Sequence, residues 1–77
     1  MKKISLAHMK AHKKGRIVEI SGGANLESRL SSMGIYLGKE VTKVSHVALE
    51  GAVAIKVGRA VIALGHGMAA KIIVDVE

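Results

Sequence analysis

Apolar and polar positions along the chain change period several times, and each change marks an element. Leu26, Leu30 and Met33 fall at i, i+4 and i+7, one face of a helix. The spacing predicts a helix over residues 24–33, ended by Gly34, since glycine takes φ > 0 without a Cβ clash. With Gly34 first past the cap, Ile35 follows, and Leu30 sits where a Schellman motif places its apolar partner. Gly38 supports a second reversal before Val41 opens a strand. Farther on the period is two. Val53, Ile55 and Val57 alternate with Ala54 and Lys56, Gly58-Arg59 makes a short connection, and Ala60, Ile62 and Leu64 alternate again. Glycine first in a two-residue loop suits a type II′ hairpin. That register pairs Val57 with Ala60, Ile55 with Ile62 and Val53 with Leu64, all on one face.

The remaining segments are read against these two. A strand from Arg16 to Ser21 carries apolar Ile17, Val18 and Ile20, so it is either covered on two sides or locally bulged. Val41, Val44 and Val47 are spaced by three, which predicts a strand from Lys39 to Val47 with a bulge near its middle. Lys71 to Val76 closes the chain as a strand, with Ile72, Val74 and Val76 on one side. Ser5 to Met9 forms a short first turn with Ser5 as its cap, and Lys13 to Gly15 is a loop. Ser21-Gly22-Gly23 breaks the first strand, Asn25 is placed to cap the helix, and Leu49-Glu50-Gly51 is a turn. Gly65 to Ala70 reads as a loop and a single helical turn. Five short strands and one inserted helix in so few residues predict a small, strongly bent barrel, as one domain over residues 1–77.

Composition limits what such a barrel can be. At 49% apolar residues the 77-residue chain has a core, but Tyr36 is the only aromatic, so that core is aliphatic. There is no cysteine, which removes disulfides and thiolate metal sites and leaves packing or oligomerisation to stabilise the domain. Lys2, Lys3, Lys10, Lys13, Lys14 and Arg16 all precede the first acid, Glu19, so the net charge of +6 resides in the N-terminal segment. That is either a solvated face or a patch for an acidic partner, nucleic acid or anionic lipid. The apolar run Ile4 to Ala7 is broken by His8 and Lys10, short of a secretory signal, so a cytoplasmic location is the expectation.

The stretch from Leu30 to Val41 resembles a known family. Leu30, Met33-Gly34-Ile35, Gly38 and Val41 resemble the pattern L-x-x-L-G-hydrophobic-x-P-G-x-x-V of the ferrous iron transport protein A (FeoA) family. Lys14-Gly15-Arg16-Ile17-Val18-Glu19-Ile20 with Gly22-Gly23, then Ala60 to Leu64 and Ala69 to Val76, resemble its first strand, double glycine and last two strands. Met33 stands where the family has leucine, and Leu37 where it often has proline. The resemblance implies an SH3-like barrel. It also implies a cytoplasmic accessory protein of ferrous iron uptake, acting on the GTPase domain of a FeoB-like membrane transporter and reaching the membrane only through that partner. The alternative is a regulatory domain resembling the C-terminal part of iron-dependent repressors, although the chain has no helix-turn-helix of its own.

Candidate chemistry is sparse. The only Asp is Asp75, no serine lies in a G-x-S-x-G setting, and no Walker or dinucleotide glycine pattern occurs, so the reading is non-enzymatic, without a cofactor. His8 and His12 are four apart, as paired zinc ligands on a helix are, but lysines surround them and no metal site is assigned; His46 and His66 stand alone. Single strands bind such barrels by stacking bases on aromatic residues, and one tyrosine is a poor platform, so specific nucleic-acid binding is not expected beyond weak, salt-sensitive contacts. What remains is protein interaction. Tyr36 and Leu37 lie in the turn between helix and strand, with Arg29 at the edge, and are assigned to partner binding, the partner being the GTPase domain or a second copy. The competing reading has Leu37 folded back as a plug of the barrel.

Overall fold

The computed structural model describes residues 2–46 and 51–76. Alternating residues build six strands and two short helices: β1 (Lys2–Ser5), β2 (Lys14–Ile20), α1 (Gly23–Ser31), β3 (Glu40–His46), β4 (Val53–Val57), β5 (Ala60–Leu64), α2 (His66–Ala69) and β6 (Ile72–Val76). The strands form one antiparallel sheet in the order β1-β6-β2-β3-β4-β5. Its inner face carries Ile17, Val41, Val53, Ile55, Ile72 and Val74, all buried, and Leu30 of α1 packs into the same cluster.

Period-two segments behave as their sequence predicts. The β4–β5 hairpin pairs Val57 with Ala60, Ile55 with Ile62 and Val53 with Leu64, without a register shift. Gly58 has φ 61 while Arg59 is not among the residues of positive φ, which distinguishes a II′ turn from a I′ turn. The apolar residues on both faces of β2 are explained by a bulge: the register with β6 shifts between Ile17 and Glu19, so Ile17 is buried while Val18 faces solvent. In β3 the register with β4 shifts between Lys43 and Ser45, a bulge near the middle of the strand as expected. Val47, Leu49 and Glu50 lie outside the described residues.

Two features differ from the sequence reading. The sheet has six strands rather than five, because Lys2–Ser5 pairs along β6 from Lys2↔Val76 to Ser5↔Ile73. Two lysines and one isoleucine give this segment little β pattern of its own, and its pairing depends on the edge that β6 offers. The helix begins at Gly23, with Gly22 as its cap residue at φ 128, so Asn25 is inside the helix and caps nothing. The two glycines, at φ 128 and φ 86, reverse the chain between β2 and the helix.

The Ser5–Met9 turn closes one end of the core. The Ser5 carbonyl accepts from the amides of His8 (3.1 Å) and Met9 (3.0 Å), and Ser5 Oγ accepts from His8 N–H at 3.3 Å. Leu6, Ala7 and Met9 are buried beneath it.

Candidate functional site

The end of α1 places two apolar side chains in solvent. Gly34 has φ 85, its N–H donates to Ser31 O at 2.9 Å, and Ile35 N–H donates to Leu30 O at 2.9 Å. These are the two bonds of a Schellman motif, and they send Ile35 into the core, where it is fully buried. The chain then turns from Tyr36 to Lys39, closed by Lys39 N–H on Tyr36 O at 3.1 Å. Gly38 has φ 90 and Leu37 is not among the residues of positive φ, the pattern of a type II turn with Leu37 at its second position. That is the position proline presets, so a proline there would fit the turn.

This turn is clamped to β2. Gly38 N–H donates to Ile17 O (2.8 Å), Ile17 N–H donates to Lys39 O (2.9 Å), and Arg16 Nη1 donates to Gly38 O (2.8 Å). Buried Ile35 on one side and the clamp on the other leave Tyr36 46% and Leu37 53% exposed. Leu37 is therefore not a plug of the barrel. Ile35 takes the inward position instead. Lys39 Nζ lies 5.9 Å from the Tyr36 ring centroid, within reach of a cation–π contact that steadies the ring.

Tyr36 and Leu37 form one wall of an open groove of about 470 Å³. The opposite wall is the helix face Ala24, Glu27, Ser28 and Ser31, and Ile20 contributes at the end of β2. The groove is apolar at Ile20 and Leu37, lined by hydroxyls along the helix, and carries one acid, Glu27. Arg29 does not line it: positions 24, 27, 28 and 31 share a helical stripe, and Arg29 lies beside that stripe with its side chain exposed.

Other candidates are dispersed. His8 and His12 share no helix; His8 Nδ1 is 2.9 Å from Ser5 Oγ, and His12 follows in a separate turn at φ 69. Among the described residues no three His, Asp or Glu side chains cluster as metal ligands would. The N-terminal cations do not form a uniform patch. Cross-strand pairing sets Lys3 beside Asp75, Asp75 beside Arg16, and Arg16 beside Glu40, so charges alternate along that row.

The sequence reading missed Lys43. It is 0% exposed, and its Nζ donates to Met9 O (2.5 Å) and Ala7 O (3.2 Å), the carbonyls at the end of the first turn. Its backbone completes the tie, with Lys43 N–H on Lys13 O (3.0 Å) and His12 N–H on Lys43 O (2.6 Å). Burial pushes the ammonium pKa below the ordinary lysine value of 10.5. One signal pointed to it: strict alternation from Val41 places Lys43 on the inward face.

No helix among the described residues is long and apolar enough to cross a membrane. Known proteins place this geometry in context. No curated protein sequence matches significantly. The crystal structure of an iron uptake regulatory protein (FeoA) is similar at 31% identity and TM-score 0.87, covering 97% of both chains. Iron(II) transport protein A from Clostridium thermocellum is similar at 26% identity and TM-score 0.86, over 95% of this chain and 45% of that one. A manganese-dependent transcriptional repressor shares the fold at 20% identity and TM-score 0.86, over 97% of this chain and 42% of that one. The six-stranded sheet with its two short helices is thus the SH3-like fold of FeoA proteins and of repressor C-terminal domains. The FeoA domain family model matches residues 4–76, and the chain belongs to the FeoA family.

Proposed function

We propose that this chain is a non-enzymatic accessory protein of ferrous iron uptake. It works in the cytoplasm by docking the Tyr36–Leu37 groove onto the GTPase domain of a FeoB-like membrane transporter. Membership of the FeoA family supports the iron-uptake role. The observation that carries the docking site is the outward pair Tyr36 and Leu37, half exposed on a turn held rigid by backbone bonds. A rigid aromatic beside an aliphatic residue presents apolar area at little entropic cost, the profile of an interface hot spot.

The groove's one carboxylate, Glu27, suits a partner segment that sets an apolar side chain between Ile20 and Leu37 and a cation near Glu27. Binding of the full chain to a purified transporter GTPase domain, measured by interferometry or calorimetry, tests this. Tyr36→Ala with Leu37→Ser weakens binding by about 2 kcal/mol or more, roughly 30-fold, and Glu27→Lys weakens it further. Undiminished binding by the folded double variant removes the groove from the interface.

A further inference from the structure

Two rows of side chains cross the outer face of the sheet, and they carry charge differently. In the first, Lys3, Asp75, Arg16 and Glu40 stand side by side, so each cation has a carboxylate next to it. In the second, Lys14 is paired with Thr42, Thr42 with Lys56 and Lys56 with Val61, and no acid enters the row. Lys14 and Lys56 are exposed, and Thr42 between them is partly buried. An open cup of about 330 Å³ forms here, lined by Lys14, Lys39, Glu40, Thr42, Lys56 and Gly58. We propose that this cup binds a compact phosphate-type dianion, inorganic phosphate or a soluble phosphomonoester, on Lys14, Lys39, Lys56 and the Thr42 hydroxyl.

Strand pairing fixes the geometry. Val41 and Lys43 on β3, and Ile55 and Val57 on β4, are buried, so Thr42 and Lys56 point to the opposite face. Lys14 and Lys56 flank Thr42 from the neighbouring strands, two strand spacings or roughly 10 Å apart. An anion seated above the Thr42 hydroxyl therefore lies between both stems, within reach of both ammonium groups. Lys39 approaches from the turn before β3, where its Nζ is 5.9 Å from the Tyr36 ring centroid. Three lysines against one carboxylate, Glu40, leave two positive charges in excess. That Glu40 also faces Arg16 in the first row.

The donors select the class of anion. A planar carboxylate is best met by the fork of an arginine, and the cup holds none. Arg16, the nearest, donates to Gly38 O at 2.8 Å instead. Lysines are point charges that gather around an anion from several directions, and the hydroxyl adds a donor, which together suit the tetrahedral oxygens of a phosphate. The neighbours oppose a longer polyanion. Asp75 and Glu40 line the adjoining cleft with Lys13, Lys14 and Arg16, and they repel a lipid surface or a nucleic-acid backbone laid across the face. A compact anion over Thr42 meets only Glu40.

A nuclear magnetic resonance titration of the full chain with inorganic phosphate, at ionic strength held constant with chloride, reads the site. Amide signals of Lys14, Thr42, Lys56 and Gly58 shift saturably, with half-saturation on the order of 1 mM for a few exposed charge contacts. Those of Lys2, Lys3 and Lys71 stay in place. Lys14→Gln with Lys56→Gln weakens binding about 10-fold or more, since it removes two charge-assisted donors. Lys2→Gln with Lys3→Gln removes as much charge elsewhere and leaves binding unchanged. Thr42→Val keeps the β-branched shape and weakens binding roughly 5-fold, and Thr42→Ser restores it. Shifts spread over all lysines without saturation, or equal losses in the two double glutamine variants, mean that net charge alone attracts phosphate and overturn the site. Acetate or a glutamate-rich peptide bound as tightly as phosphate overturns the ligand class and leaves a surface for acidic protein. Phosphatidylglycerol vesicles that hold the chain through Lys14 and Lys56 more tightly than phosphate does overturn it in favour of a membrane.

Discussion

Leu37 and Lys43 lie six residues apart on the same stretch of chain and exchange the places their polarity suggests. The leucine is 53% exposed and the lysine fully buried. At Leu37, the Schellman bonds at Gly34 and the clamp of Gly38 on Ile17 leave the side chain no inward direction. At Lys43, strand alternation gives it no outward one, and its ammonium is accommodated because the first turn ends with the carbonyls of Ala7 and Met9 above it. Backbone geometry set first by hydrogen bonds decides burial in both cases, and the side chain adapts. The difference lies in what each serves. The buried lysine joins the N-terminal turn to the sheet, while the exposed leucine remains available for contact.

Removing the lysine is the strongest way to break this contrast. Lys43→Ala leaves a cavity and orphans two carbonyls, and it destabilises the fold by about 3 kcal/mol, roughly 15 °C in the melting temperature of a domain this size. Lys43→Met keeps the stem and costs less than half of that. Equal losses in thermal melts would mean that the ammonium, not the stem, holds the turn.

Gly34→Val is next in size. The added Cβ meets nothing closer than Val57 Cγ1 at 3.7 Å, so the cost is the φ of 85 and not a clash. About 1–2 kcal/mol is expected from a β-branched residue in that region, and less from Gly34→Asn. Equal melting temperatures for the two variants would remove the backbone argument for the outward turn.

A pH series sharpens the Lys43 half of the comparison. Its folded pKa is lowered from 10.5 by burial. Between that lowered value and 10.5 the folded chain binds fewer protons than the unfolded chain, so stability rises with pH across this window. Below the window both states carry the charge and Lys43 contributes no slope. The urea midpoint of the wild type therefore gains on that of Lys43→Met as pH approaches 10.5. A constant difference would show that the ammonium is not desolvated.

The smallest effect is expected at the other end of the comparison. Tyr36→Ala with Leu37→Ser changes stability by about 0.5 kcal/mol or less, since both side chains are about half exposed and neither belongs to the buried core cluster. A loss of several kcal/mol in a denaturant titration would show that the pair carries core packing after all.

Much of this was legible in the residues themselves. Gly34 after Leu26, Leu30 and Met33 marks the end of the helix, and Gly58-Arg59 between two alternating runs specifies the hairpin and its register. The break in alternation after Val41 announces a bulge in β3, which the structure has between Lys43 and Ser45. Each of these is a local rule, in which a φ value or a side-chain period is encoded within a few neighbours. The tertiary structure alone decided the rest. β1 is a strand because β6 offers it an edge, and Lys43 is buried because a turn more than thirty residues earlier covers it. Tyr36 and Leu37 face a groove because β2 holds their turn from outside. These outcomes depend on which element covers which, and such contacts join residues far apart in the chain, where no local period can record them.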